Sequence, residues 1–316
     1  MKRLWPWLRL GLAVAVLVGL GLRLGTDAFL DGLRAAAGWP VVAALAIGGL
    51  TTVASAWRWC LISRRLGLPL NLRTAVADYY RALLLNAVLP AGVLGDVHRA
   101  VSHGKQSGDV GRGVRAVVFE RTAGQLVLVA IGLVVVFTQP IRGLDLVPSA
   151  DVVIACLIAL TVAVGVAARA PRVREVLRAT WADLRVGVLD RAALPHLVTL
   201  SAAAVAGHVA LFIVAARAAG STAPVGTLVP LIILALLVMA VPINVGGFGP
   251  REAFLAVAFG AAGLGAAQGL TTAVVYGVLA LVASLPGILV VLPVKRREVP
   301  RERRDQPGQQ VLAFAG

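Results

Sequence analysis

Charge is scarce in this chain. Asp, Glu, Lys and Arg make up only 14% of its 316 residues, where a soluble domain carries about 25%. Cysteine is scarcer still: Cys60 and Cys156 are the only two, both inside apolar runs, which excludes a disulfide framework. Catalytic signatures are missing as well. There is no G-x-S-x-G, H-E-x-x-H or paired-Cys motif, so hydrolase and metalloenzyme readings have no anchor. Gly246-Gly247-Phe248-Gly249 lacks the Gly-Lys-Ser/Thr ending and preceding strand of a phosphate loop. Asp96, His98 and His103 match no metal-ligand spacing and read as a surface loop. Neither metal nor cofactor is expected, and a soluble enzyme is not.

Apolar sequence fills the space. Hydrophobic residues reach 59% and mean hydropathy is +0.88. They fall in continuous Leu/Val/Ala/Ile blocks long enough for a helix to cross roughly 30 Å of hydrocarbon; a barrel would show short alternating segments instead. The fold expected is all-α and polytopic, with about six transmembrane helices at 8–24, 41–62, 114–138, 150–168, 196–219 and 269–293. The first span resembles a signal peptide but is followed by no A-x-A-like cleavage site, and is read as uncleaved. Trp5, Trp7, Trp39, Trp57 and Trp59 lie near span ends, as interfacial anchors do. One domain is expected over 1–294, followed by a basic, disordered tail over 295–316.

Two apolar stretches, 75–89 and 227–241, are short of a crossing. Each breaks at proline and glycine: Pro90 and Gly92 in the first, Pro242, Gly246 and Gly249 in the second. A second short limb follows each break, so both read as re-entrant hairpins, which survive at membrane depth only inside protein or beside a wet cavity. A hairpin and a pair of spans both return the chain to its starting side, so this reading rests on limb length and polarity. With the N-terminus in the cytoplasm, inner segments hold 22 of the 30 Lys and Arg, including the Arg-rich loop 169–191 and the tail. The net charge of +15 is therefore a consequence of topology, and nucleic acid is a poor partner for it. N- and C-termini are both expected in the cytoplasm.

A shift of 152 overlays Pro90 on Pro242, Gly95 on Gly247 and Arg99 on Arg251. The order of elements agrees around them, which suggests inverted repeats over about 41–138 and 196–293. Broken helices that meet at the midplane of inverted repeats recur in secondary transporters. Charged groups cluster at the breaks: Asp78, Arg81, Asp96, His98, Arg99, Glu120, Arg121, Arg251 and Glu252. Each costs about 2.5–3.5 kcal/mol at the centre of a membrane helix. Arg99 and Arg251, with free amides at Gly95 and Gly247, compose an anion site suited to phosphate. Asp96, Glu120, Arg121 and Glu252 are the polar-cavity partners. The bland alternative is that these ion pairs only hold helices together, and Asp78 and Arg81 suit simple solvation at the inner surface. His208, alone in mid-span, reads as packed with a helix hydrogen bond.

Three motifs in this order, Leu89-Pro90-x-Gly92-x-x-Gly95-Asp96-x-x-Arg99, Glu120-Arg121-x-x-Gly124 and Pro242-x-x-x-Gly246-Gly247-x-Gly249-x-Arg251-Glu252, resemble the lysylphosphatidylglycerol synthase transmembrane, or flippase-like, family over roughly 40–295. Leu94 stands where members often have the first glycine of Gly-Gly-Asp. The resemblance implies a bacterial inner-membrane protein that moves a lipid with an anionic phosphate head group between leaflets. The lipid classes implied are aminoacyl-phosphatidylglycerol and isoprenoid- or hopanoid-linked lipids. No aminoacyl-transferase domain fits after the last span, so synthesis of lysyl-lipid is not expected. The alternative is a non-transporting scaffold for an envelope glycosyltransferase or lipid-modifying enzyme, docked through the Arg-rich loop or the tail.

Overall fold

The computed structural model describes Arg34 and residues 37–88, 93–138, 171–239 and 250–291. The expected spans 8–24 and 150–168, both proline–glycine breaks apart from Gly95, and the tail 295–316 lie outside them. The described residues are helical, with no strand among them. In chain order the helices are α1 (Trp39–Arg65), α2 (Leu72–Val88), α3 (Leu94–Gln106), α4 (Val110–Thr138), α5 (Pro171–Gly187), α6 (Leu194–Ala218), α7 (Val225–Met239), α8 (Pro250–Ala261), α9 (Ala266–Ser284) and α10 (Pro286–Val291).

Four of the expected spans are present with little change: α1, α4, α6, and α9 continued through Leu285 into α10, as Ala266–Val290. Each is long and apolar enough to cross a bilayer, and the protein is a multi-pass membrane protein. Their outward residues are large and apolar; Leu50 is 74% exposed and Phe137 78%. In water that surface would be a liability, whereas in lipid it is solvated. The apolar limbs become α2 and α7, and the polar run after Pro90 becomes α3. The Arg-rich segment expected as a loop is helical over most of its length, as α5.

Local sequence explains where helices stop and start. The α2 and α4 N-termini are capped by side chains: Asn71 Oδ1 accepts from the Thr74 amide (2.7 Å) and Asp109 Oδ1 from the Arg112 amide (2.9 Å). At the ends of α1, α3, α6 and α8 a left-handed glycine turns the chain: Gly67, Gly108, Gly220 and Gly263. The next amide then bonds back into the last turn, as Leu68 N–H to Ser63 O (2.9 Å) and Leu264 N–H to Phe259 O (2.8 Å).

Packing recurs between the two halves. The contacts α1–α2, α2–α3, α3–α4 and α1–α4 have counterparts in α6–α7, α7–α8, α8–α9 and α6–α9; α4–α6 and α4–α7 are matched by α9–α1 and α9–α2. The apolar core is likewise two clusters. One, around Trp59, Ile62, Tyr79 and Phe119, serves the first half; the other, around Phe212, Leu228, Phe259 and Leu279, serves the second. Between the halves α1 and α6 run antiparallel: Arg58 meets Ser201, and Thr51, seven residues earlier, meets Gly207, six later. The helix-end glycines also set a register. Gly67 and Gly220 are 153 apart and Gly108 and Gly263 are 155, so Arg99 lies nine residues before its turn and Arg251 twelve before its own. Arg251 is in the first turn of α8, but Arg99 is in the second turn of α3. The shift of 152 overlays them in sequence; the helices do not.

Small residues hold the close crossings. A Cβ on Gly113 would stand 2.7 Å from the Ala100 carbonyl oxygen, and one on Gly269 2.1 Å from that of Leu255, whereas one on Gly226 would meet nothing within 4 Å. Gly113→Ala and Gly269→Ala are expected to destabilise the protein by about 1–3 kcal/mol each through overpacking against backbone, with Gly226→Ala near neutral. Thermal unfolding in detergent checks this; equal melting temperatures for the three would mean that these crossings are not close.

Candidate functional site

The middle of the first half is polar. Glu120, in α4, is fully buried, and its carboxylate takes every donor within reach. Arg58 of α1 donates from Nε (3.1 Å) and Nη2 to Oε1, and the Tyr79 hydroxyl of α2 reaches the same oxygen at 3.2 Å. Arg99 of α3 donates from Nη2 to Oε2 at 2.6 Å. The remaining Nη1 of Arg58 donates to Ser201 Oγ of α6 (2.9 Å). A single carboxylate thus ties α1, α2, α3 and α4 directly, and α6 through Arg58. Gly124 makes room for this: a Cβ there would stand 3.0 Å from the Arg58 guanidinium.

Asp96 is the second acidic node. Arg121 Nη2 donates to both of its oxygens (2.8 and 2.7 Å), Arg99 Nε to Oδ1 (2.9 Å) and Asn86 Nδ2 to Oδ2 (3.1 Å). Asn86 Oδ1 in turn accepts from the Gly95 amide (2.7 Å). That amide is one of those which helix geometry leaves unpaired at an N-terminus. Gly95 is required there, because a Cβ would stand 2.1 Å from the Ala82 carbonyl oxygen. Its amide is therefore engaged by Asn86 rather than open. Arg99 lies between the two nodes with its guanidinium over two rings, 4.4 Å from the centroid of Tyr79 and 4.8 Å from that of Trp59.

The balance of this cluster is positive, with three guanidiniums against two carboxylates. Donors are also in surplus. Arg99 Nη1, Arg121 Nε and Trp59 Nε1 are buried with no hydrogen-bond partner, and Ser63 Oγ and His103 Nε2 are in the same position. Unsatisfied buried donors cost about 1–3 kcal/mol each, so the three N–H donors of Arg99, Arg121 and Trp59 call for an acceptor. Arg121 is the open edge: 42% of its side chain is exposed, although it stands in a transmembrane helix.

The second half has a separate polar centre. Arg251 donates to its neighbour Glu252 from Nε (3.0 Å) and Nη2 (2.5 Å), and its guanidinium lies 5.4 Å from the Tyr276 ring. Tyr276 stacks on Phe212 and its hydroxyl meets His208 Nδ1 at 3.3 Å. His208 is thus bonded across helices, not to its own, and is exposed within α6.

Of the residues expected from sequence, Gly95, Asp96, Arg99, Glu120 and Arg121 come together. Arg251 and Glu252 pair with each other in the second half. Gly92, Pro90, Pro242, Gly246, Gly247 and Gly249 lie outside the described residues. Asp78 and Arg81 pair at 2.6 Å, and Arg81 also reaches the Val290 carbonyl. Three readings need correction. Asp96, His98 and His103 are helical rather than in a surface loop, with His103 buried edge-on against Trp59. Trp59 is no interfacial anchor; it is wholly buried beneath Arg99. Arg58 was passed over; it stands within a 27-residue apolar helix that also carries Arg64 and Arg65 in its last turn, and only its partners Glu120 and Ser201 reveal its role.

Removing one partner from a buried ion network costs about 3–5 kcal/mol. Glu120→Ala should lose that much, and adding Arg58→Met should recover part of it, since fewer charges are then stranded. Denaturation of the detergent-solubilised protein measures both; strictly additive losses would mean that Arg58 and Glu120 are not coupled.

The family model described as the lysylphosphatidylglycerol synthase TM region matches residues 7–287. No curated protein and no solved structure matches the chain.

Proposed function

We propose that this chain, which belongs to the lysylphosphatidylglycerol synthase transmembrane-region family, is a non-enzymatic flippase for a lipid with an anionic phosphate head group. The observation that carries the reading is the surplus of buried donors in the Arg58–Arg99–Arg121 cluster. An anion that entered beside Arg121 would meet Arg99 Nη1, Arg121 Nε and Trp59 Nε1, all without partners, and would offset the excess positive charge. A phosphodiester supplies both the charge and several acceptor oxygens. Asp96 and Glu120 hold the guanidiniums apart and oriented; without them three like charges could not share so small a volume.

The fold suits movement of such a group through the bilayer. At 1.5 Å per residue α4 is roughly 43 Å long, whereas α2 and α3 are only about 25 and 19 Å. In our reading α2–α3 and α7–α8 are hairpins that turn at membrane depth. The paired helix contacts and the antiparallel α1 and α6 support inverted repeats, with the substrate path between them. Arg121 and His208, both accessible within transmembrane helices, favour a wet cavity, because a charged group facing lipid would be far costlier. Arg251 and Glu252 then act as the second station on that path, with Glu252 and Asp96 as the groups that position guanidiniums or exchange protons. Arg65, Arg112 and Arg115 gather with Asp183 and Asp190 at one end of the spans. We assign that end to the cytoplasm of a bacterial inner membrane.

In proteoliposomes with a fluorescent phosphatidylglycerol, Arg99→Ala and Arg251→Ala should each slow leaflet exchange by at least about ten-fold, the loss of one charge-assisted contact. Arg121→Gln, at the open rim, should do so as well, with a smaller fall in melting temperature than Glu120→Ala. Folded variants that exchange lipid at the parent rate would refute the assignment. Lipid that co-purifies should be enriched in anionic phosphates, and a zwitterionic profile matching the bulk membrane would count equally against it.

A further inference from the structure

Among the described residues, the contacts that anchor helix α5 lie in its C-terminal part, where Leu184 packs on the first-half core. Asp183 takes Arg115 Nε at 2.6 Å and lies 3.7 Å from Arg112 Nε, Gly187 packs against Leu66, and the following Asp190 pairs with Arg65. These partners sit at the ends of α1 and α4, so α5 lies at the level where the spans leave the bilayer. At about 25 Å and with four arginines among its 17 residues, it is no span.

Its residues are sorted by face. At 100° per residue Val173, Val176, Leu177, Thr180, Trp181 and Leu184 share one broad arc, and Arg174, Arg178 and Arg185 share the adjoining edge. Val176, Leu177 and Trp181 are exposed. The Arg185 guanidinium lies 5.2 Å from the Trp181 ring, the pairing of a ring at the acyl boundary with a cation reaching out of it. Among the exposed residues of α5 the only acid is Glu175, on the far side from Leu177.

We propose that α5 lies in the plane of the membrane interface, with Val176, Leu177 and Trp181 in the acyl boundary and Arg174, Arg178 and Arg185 against the head groups of anionic phospholipid. The warrant is the combination of level, the exposed apolar residues Val176, Leu177 and Trp181 beside a Leu184 that packs on the first-half core, and charge complementarity. Such a helix binds through buried apolar area together with attraction to anionic lipid. The proposal does not depend on lipid transport.

The full chain with Cys60→Ala and Cys156→Ala, spin-labelled at Leu177→Cys, Trp181→Cys or Glu175→Cys in phosphatidylcholine–phosphatidylglycerol nanodiscs, tests it. Labels at 177 and 181 should collide with oxygen and be shielded from a water-soluble nickel chelate, and the label at 175 should not. Chelate access equal at all three sites would overturn the proposal, as would shielding of 177 that appears only when a soluble protein is added. In the second arm, the triple variant Arg174→Gln, Arg178→Gln, Arg185→Gln should weaken retention of phosphatidylglycerol by about ten-fold or more. Unchanged retention by that variant would remove the head-group role.

Discussion

One buried carboxylate organises the first half of this protein. Glu120 sits between Arg58 and Arg99 with the Tyr79 hydroxyl on the same oxygen as Arg58, so four helices converge on a group with no access to solvent. Taking such ions out of water costs several kcal/mol apiece, and mutual attraction repays it only when geometry is good and every lone pair is used. Glu120 comes near that condition, with three donors on Oε1 and one on Oε2. The arginines do not, since Arg99 retains a bare Nη1 and Arg121 a bare Nε. That asymmetry is what supports the proposed anion site.

The constraint spreads outward from there. Gly124 is small so that the Arg58 guanidinium fits; Gly95 is small so that α3 can start hard against α2, with Asn86 taking its amide. Trp59 and Tyr79 spend their ring faces on Arg99, which reassigns a tryptophan that composition places at an interface to the protein interior. The second half repeats the packing pattern, and among the described residues its polar centre is Arg251 with the adjacent Glu252, beside a stacked Phe212–Tyr276 pair and His208.

The charged end of the molecule is organised by a different balance. Arg65 and Asp190 meet where water screens them, so that pair contributes little to stability, whereas Asp183 is more sheltered and takes Arg115 at 2.6 Å, with Arg112 close by. Their effect is positional. They fix the end of α5 to the ends of α1 and α4, with Leu184 packed on the first-half core and Val176, Leu177 and Trp181 left exposed.

Much of this was legible in the residues. Hydropathy located four spans to within a few residues because a bilayer needs a fixed length of apolar helix, and composition alone satisfies that need. The short limbs and the charges beside them were equally plain, and the motif from Gly95 to Arg99 with Glu120 and Arg121 pointed to the family before any coordinates. What sequence could not decide was which charges meet. Arg58 is 62 residues from Glu120 and 143 from Ser201, and nothing local distinguishes a buried arginine from one reaching for the surface. Helix register is a related case: identity fixes a shift along the chain that pairs Arg99 with Arg251, but the two stand nine and twelve residues before the glycines that end their helices, a difference of most of a turn. Spans follow from a one-dimensional requirement set by the membrane. A polar site follows from three-dimensional convergence, and only the packed helices supply that.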